Sequence, residues 1–279
     1  GSQPMTATPY QFVAIAGSGT IATGLAAVAS RSSSEVVLLV RSAESGERAL
    51  AAVEKASRRI AGAEPSRVTT TQDLESLTEA DLLVEAVIED AEVKTDLLRR
   101  AAEAAPGADL ATTTSSLSIT GLGTGCGSPD RLYGLHVFNP VPAMQLVELI
   151  FPEGLNQDVA ERARDWCHIL EKTAVEVPDT AGFAVNRLLF PYLFDAVRYQ
   201  ERTGLEAAAV DECMTLGVAH PMGPLALLDL VGLDVAVAIG EALNAESGNP
   251  DHLAPDTVRK FVGQGNLGRK SGRGFYDYS

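Results

Sequence analysis

The segment Phe12-Val13-Ala14-Ile15-Ala16-Gly17-Ser18-Gly19-Thr20-Ile21-Ala22 constrains this chain more than any other. Its first five residues are apolar and read as a buried strand. The alanine-rich stretch after Thr20 reads as a helix, and a G-x-G-x-x-A turn joins the two. Glycines at such a turn let a ligand approach the backbone closely, and the helix start offers unsatisfied N–H groups to an anion. With a second strand at the right distance, this is the dinucleotide-binding fingerprint of a strand–turn–helix unit. Gly17, Gly19, Thr20 and Ile21 are therefore candidate cofactor contacts.

The second strand, Glu35-Val36-Val37-Leu38-Leu39-Val40, ends where an NAD-using unit carries an Asp or Glu for the ribose 2′-hydroxyl. Val40 stands there instead, followed by Arg41 and Ser42. A guanidinium and a hydroxyl suit a 2′-phosphate, so NADP is the expected cofactor and NAD the lesser fit. The formal charge of −15 means that an anionic cofactor has to be caught by local donors against an unfavourable overall field. The same charge argues against nucleic acid as a partner.

Strand and helix signals keep alternating downstream. A helix at 44–60 leads to a short strand at 67–70. A strand at 81–88, a helix at 92–105 and a strand at 109–113 come next. Strands recur at 132–136, 145–150 and 173–178, with a helix at 156–170. Such alternation implies an α/β fold, a Rossmann-type doubly wound sheet that binds ligands outside the carboxyl ends of its strands. Beyond Asp179-Thr180-Ala181-Gly182 only helical patterns remain, at 183–202, 206–216, 224–230, 234–243 and 255–262, the first carrying Pro191 as an expected kink. The expected division is a dinucleotide-binding domain at 10–180 and a smaller all-helical domain at 181–279.

No apolar run approaches the ~18 residues of a membrane span and no leader pattern opens the chain, so no membrane partner is expected and the expected location is cytoplasmic. Gly1-Ser2 ahead of Met5 read as a non-native lead. Cys126, Cys167 and Cys213 lie far apart, which fits a reducing compartment, and neither they nor the histidines show metal-ligand spacing.

Three segments fall where such a sheet presents chemistry: Thr112-Thr113-Thr114-Ser115-Ser116 after one strand, Gly134-Leu135-His136-Val137-Phe138-Asn139-Pro140 at the end of another, and Gln145-Leu146-Val147-Glu148-Leu149-Ile150. Both faces of the last are apolar, so Glu148 is expected to be buried and to need a partner. His136 lies upstream across a tight turn, and adjacent strands would bring its ring to Glu148. A carboxylate on one imidazole nitrogen orients the ring and raises its basicity. From spacing alone, a core histidine beside a structural glutamate fits equally well.

The runs Glu85-Ala86-Val87, Thr114-Ser115-Ser116-Leu117-Ser118-Ile119, 134–148, Gly182-Phe183-Ala184-Val185-Asn186-Arg187-Leu188, His220-Pro221-Met222-Gly223-Pro224 and 268–278 occur in one order along the chain. Together they resemble the L-3-hydroxyacyl-CoA dehydrogenase family from Val13 onward. The resemblance implies a catalytic base at His136, its paired carboxylate at Glu148, and substrate-holding side chains at Ser115 and Asn186. It implies cofactor contacts at the glycine turn, Glu89, Lys94, Ser115, Asn139 and Lys270, and a homodimer built through the helical domain. Apart from the resemblance, Lys94 reads as a helix-surface lysine and Lys270 as one charge in a glycine-rich tail.

The chain departs from the family's pattern in three places. Val40 replaces the NAD-selecting aspartate. Thr113 replaces a usual asparagine, a change with no interpretation from sequence. The stretch 44–70 is short where family members commonly insert a helix-turn-helix that clamps coenzyme A; only Arg58 and Arg59 remain as basic candidates. The expected activity is hydride transfer between NADP(H) and C3 of a 3-hydroxyacyl or 3-oxoacyl thioester. The acyl group would be carried by CoA or, given the trimmed clamp, the same chemistry would act on a carrier-protein-bound or otherwise specialised hydroxyacid of a biosynthetic pathway. A non-catalytic NADP-binding relative is the remaining alternative.

Overall fold

The computed structural model describes residues 9–279; Gly1, Ser2 and Met5 lie outside them. The described residues divide into two compact units, the first ending at Asp179 and the second running from Thr180 to Ser279.

The first unit is built on an eight-stranded sheet of order β3-β2-β1-β4-β5-β6-β7-β8. Its strands are β1 (Phe12–Ala16), β2 (Glu35–Leu39), β3 (Val68–Thr71), β4 (Leu82–Glu85), β5 (Asp109–Thr112), β6 (Leu132–Val137), β7 (Leu146–Ile150) and β8 (Thr173–Glu176). All neighbours pair in parallel except β6 and β7, which run antiparallel. The helices are α1 (Thr20–Ala29), α2 (Ala43–Ser57), α3 (Ala91–Ala104), α4 (Ile119–Cys126) and α5 (Gln157–Ile169). Strand order reverses at β1, which sits between β2 and β4, and it is at such a switch point that a doubly wound sheet opens a crevice. Val13, Ile15, Val36, Leu38, Leu82 and Val84 on the central strands are fully buried, as strands covered by helices on both faces should be.

Sequence expectations for this unit match the observed elements with two differences. The strand expected at 81–88 stops at Glu85, because the chain turns there to form one wall of the crevice. Helix α4 was not expected: Ile-Thr-Gly-Leu-Gly-Thr-Gly-Cys is a poor helix sequence. Tertiary contacts override that propensity. Ser118 accepts from Gly121 N, and Asp179 accepts from Ile119 N at 2.9 Å and Thr120 N at 2.8 Å. The glycines are needed for close approach, since a Cβ on Gly125 would lie 2.9 Å from Thr95 Cγ2 and one on Gly123 3.2 Å from Pro129 Cα.

The second unit is helical: α6 (Val185–Thr203), α7 (Ala207–Gly217), α8 (Pro224–Val231), α9 (Leu233–Ser247) and α10 (Asp256–Gly263). Phe190, Leu193, Phe194, Leu225, Leu228 and Leu243 form its core, and α6 continues through Pro191. Two buried aspartates organise its end. Asp229 accepts from Phe275 N, Tyr276 N and Tyr278 Oη at 2.9–3.0 Å, and Asp211 accepts from Leu225 N, Ala226 N and Tyr276 Oη. The 268–278 run singled out in the sequence is thus a strap folded onto Asp229.

Candidate active site

A cleft of about 700 Å³ opens at the carboxyl ends of five parallel strands in the first unit. Residues 17–21 line it after β1, Val40 and Arg41 after β2, 86–89 after β4, Thr113 and Ser115 after β5, and His136 and Val137 at the end of β6. This is where a doubly wound sheet presents ligand-binding side chains.

The glycine turn makes two separate demands. Gly17 has φ +140°, and a Cβ there would lie 2.4 Å from the Ala86 carbonyl oxygen, so no other residue fits. Gly19 has an ordinary φ of −78°, and a Cβ there would meet no atom within 4 Å; its openness faces solvent or ligand. Helices α2, α3, α4 and α5 begin with side-chain caps from Ser42, Asp90, Ser118 and Asn156, whereas α1, starting at Gly19, has none. The N–H groups of its first turn are thereby left for an anion. These features fit the pyrophosphate of a nicotinamide dinucleotide.

At the end of β2, Val40 is buried where the core meets the cleft, and the exposed Arg41 lines the cleft beside it. Arg41 has no side-chain partner among the described residues, which makes it an uncommitted cation of the cleft. Ser42 lies outside the lining. Its hydroxyl accepts from Ser45 N at 3.2 Å and caps α2.

His136 and Glu148 are direct cross-strand partners in the β6–β7 register, so they share one face of the sheet. His136 Nδ1 lies 2.6 Å from Glu148 Oε2, with both side chains buried. The Phe138 ring packs 4.5 Å from the imidazole, centroid to centroid. A buried carboxylate on Nδ1 fixes the ring's orientation and favours a tautomer that handles a proton at Nε2.

A second polar group gathers at the carboxyl ends of β4 and β5. Glu85 is fully buried at the end of β4 and accepts from Lys94 Nζ at 2.7 Å, Val87 N at 2.7 Å and Thr112 Oγ1 at 2.6 Å. Lys94 is itself buried, 3.3 Å from the Val87 carbonyl and 3.3 Å from Glu89 Oε2, so it is not the surface lysine its helix position suggested. Glu89 Oε1 accepts from Thr114 Oγ1 at 2.5 Å, Ser115 N at 3.0 Å and Ser116 N at 3.2 Å. Partial burial pushes the Glu89 carboxyl up, but the Thr114 hydroxyl, Lys94 and the Ser115 and Ser116 donors outweigh it and hold the carboxyl below the usual glutamate value. Sequence reading missed Glu85 as a site-forming residue. The signal was a carboxylate closing an otherwise apolar strand. Thr113 also lines the cleft, its N–H donating to the Glu85 carbonyl.

The remaining candidates lie outside this cleft lining. Asn139 is exposed just beyond β6. In the second unit, Asn186 lies in the first turn of α6, and Lys270 pairs with Asp234 at 2.5 Å.

Residues 12–180 match the family model described as "3-hydroxyacyl-CoA dehydrogenase, NAD binding domain", and residues 182–278 the one described as "3-hydroxyacyl-CoA dehydrogenase, C-terminal domain". The chain is 36% identical over 274 residues to a probable 3-hydroxybutyryl-CoA dehydrogenase of Deinococcus radiodurans, covering 95% of this chain and 99% of that protein. It is also 36% identical over 282 residues to a 3-hydroxybutyryl-CoA dehydrogenase of Mycobacterium tuberculosis, with 96% and 98% coverage. Among solved structures, the (S)-3-hydroxybutyryl-CoA dehydrogenase of Ralstonia eutropha superimposes with a TM-score of 0.91 at 32% identity, covering 97% of this chain and 99% of that one. With both of its halves matched in order, this chain belongs to the 3-hydroxyacyl-CoA dehydrogenase family of oxidoreductases.

Proposed function

We propose that this protein is an NADP(H)-dependent L-3-hydroxyacyl thioester dehydrogenase acting on a short 3-hydroxyacyl/3-oxoacyl-CoA such as 3-hydroxybutyryl-CoA. The observation that carries the reading is the buried His136–Glu148 pair, at 2.6 Å, beside a cleft floored by an uncapped glycine turn. When bound, the nicotinamide exchanges a hydride with C3 of the acyl group. His136 exchanges the accompanying proton with the C3 oxygen through Nε2, and Glu148 holds the ring in the orientation that this requires. Ser115 holds the substrate oxygen in line, a positioning role that the resemblance also gives to Asn186. The α1 N-terminus and Arg41 bind the cofactor's phosphates, and the uncommitted Arg41 beside Val40 supports NADP over NAD. A homodimer and a cytoplasmic location rest on the resemblance and the sequence alone.

The connection between α2, ending at Ser57, and β3, starting at Val68, favours a second reading in which the acyl group arrives on a carrier protein. Arg58 and Arg59 are its exposed cations, and Arg58 lies 3.4 Å from Glu54. Reduction of acetoacetyl-CoA, measured with NADPH and with NADH against the same acyl group on a carrier protein, tests both readings. Turnover with NADPH favoured is expected. Failure to turn over any 3-oxoacyl or 3-hydroxyacyl thioester would leave a non-catalytic NADP-binding relative.

A further inference from the structure

From the contacts around the β6–β7 turn, we infer that Lys172 is a positioning residue for the reaction: its ammonium fixes the turn that closes the Phe138 ring over the His136 imidazole. The turn runs from Phe138 to Gln145 and contains Pro140 and Pro142, which bring no N–H to brace it. Inside it, Ala143 N and Met144 N both donate to the Pro140 carbonyl at 3.0 Å. Of residues 139–145 only Val141 is buried, and it packs on α1, where a Cβ on Gly24 would come 3.0 Å from Val141 Cβ. Lys172, between α5 and β8, supplies the brace from outside. Its Nζ donates to the Val141 carbonyl at 2.5 Å and to the Met144 carbonyl at 2.7 Å. A lysine acting only as the cation at the end of α5 would turn to that helix's last carbonyls; these two bonds go to the turn instead.

The lysine is itself placed by a strained neighbour. Glu171 has φ +56°, a left-handed conformation that glycine adopts far more readily. Its N–H donates to the His168 carbonyl and the Lys172 N–H to the Cys167 carbonyl, both at 2.9 Å, so α5 ends in the motif that usually carries a glycine. What the glutamate gains there is a two-point grip on Arg31, Oε1 to Nη2 at 2.7 Å and Oε2 to Nη1 at 3.0 Å. Arg31 follows the end of α1, the helix that starts at the glycine turn and carries Gly24 against Val141. The ammonium stays at this point although burial, and then the Arg31 charge, push it below the usual lysine value. The turn so held begins at Phe138, whose ring lies 4.5 Å from the imidazole, centroid to centroid, at 54°. Glu148 fixes one edge of that imidazole, and the Phe138 ring limits its tilt.

This inference rests on the proposed role of His136 in moving the proton. Its test uses Lys172→Met, which keeps the apolar stem and removes the ammonium, and Lys172→Gln, shorter and still polar, which serves if the first variant fails to fold. Three quantities are read: amide hydrogen exchange at Ala143 and Met144, the NMR resonances of the His136 ring protons, and kcat and KM for acetoacetyl-CoA with NADPH. In both variants exchange at Ala143 and Met144 should quicken while β1 amides keep their protection. The His136 ring resonances should shift as the Phe138 ring moves away. The kcat should fall about 10–100-fold, the scale of a small misplacement, with KM little changed. Unchanged His136 resonances, or a lowered Tm with kcat intact, would reduce Lys172 to fold stability and overturn the inference. A raised KM with kcat intact would overturn it too, by making the turn a substrate-binding element. Exchange and resonances are read without turnover, so they decide the inference even if the wild-type protein reduces no thioester, a result that would sink the proposed function instead.

Discussion

At the scale of single residues, the two glycines of the β1–α1 turn serve different masters. Gly17→Ala sets a Cβ against the Ala86 carbonyl at a positive φ, so it should destabilise the first unit by about 2 kcal/mol or more, lowering Tm by several degrees. Gly19→Ala has room and an ordinary backbone, so Tm should hold while NADPH affinity drops about tenfold or more, because the new methyl occupies the ligand's approach. Thermal melts paired with cofactor titrations check both, and a Gly19→Ala protein that binds NADPH normally would contradict the placement of the pyrophosphate. Glu89 gives a pH prediction. Its folded carboxyl lies below the usual value, so its contribution to stability is complete above the unfolded value and is lost as pH falls through the folded one. The stability difference between wild type and Glu89→Gln should therefore be present at neutral pH and shrink on acidification below the ordinary glutamate range. A difference that grows toward acid would contradict the contacts assigned to this side chain. The His136–Glu148 contact was legible at this scale as an adjacency across strands, whereas the depth of Lys94 was not. Helix periodicity alone left it on the surface, and only the buried acid ending β4 explains why it turns inward.

At the scale of elements, apolar runs and turn residues were enough to expect every strand of the sheet and all but one of the helices longer than one turn. The exception, α4, is held by Asp179 and by glycine-mediated packing, neither of which is a local signal. The tight turn between β6 and β7 was read as joining adjacent strands, and the structure shows that their pairing is antiparallel. That pairing is also what places His136 opposite Glu148. The end of β2 carries the cofactor prediction. A charge-assisted hydrogen bond from Arg41 is worth roughly 1.5–3 kcal/mol, or about 10–100-fold in favour of NADP. Val40→Asp with Arg41→Ala should reverse that preference by adding a ribose acceptor and a charge that repels the phosphate. A lower dissociation constant for NADH than for NADPH in the unmodified protein would contradict the assignment.

At the scale of the whole molecule, the chain joins a dinucleotide-binding sheet to a helical unit, both matched by one family. The short link from α2 to β3 leaves few cations near that edge, and the overall charge of −15 does nothing to attract an adenosine 3′-phosphate. Removing that phosphate from the CoA thioester should therefore barely change KM; a large penalty would show that CoA is gripped after all. The central claim, a base–carboxylate pair working beside a nicotinamide site, is tested most directly by a double-mutant cycle at His136 and Glu148. His136→Gln should retain NADPH binding and lose about 10²–10⁴-fold in turnover of acetoacetyl-CoA, and Glu148→Gln should lose much of the same activity. The double variant should be little worse than His136→Gln alone. Fully additive losses, or turnover that survives His136→Gln, would contradict it.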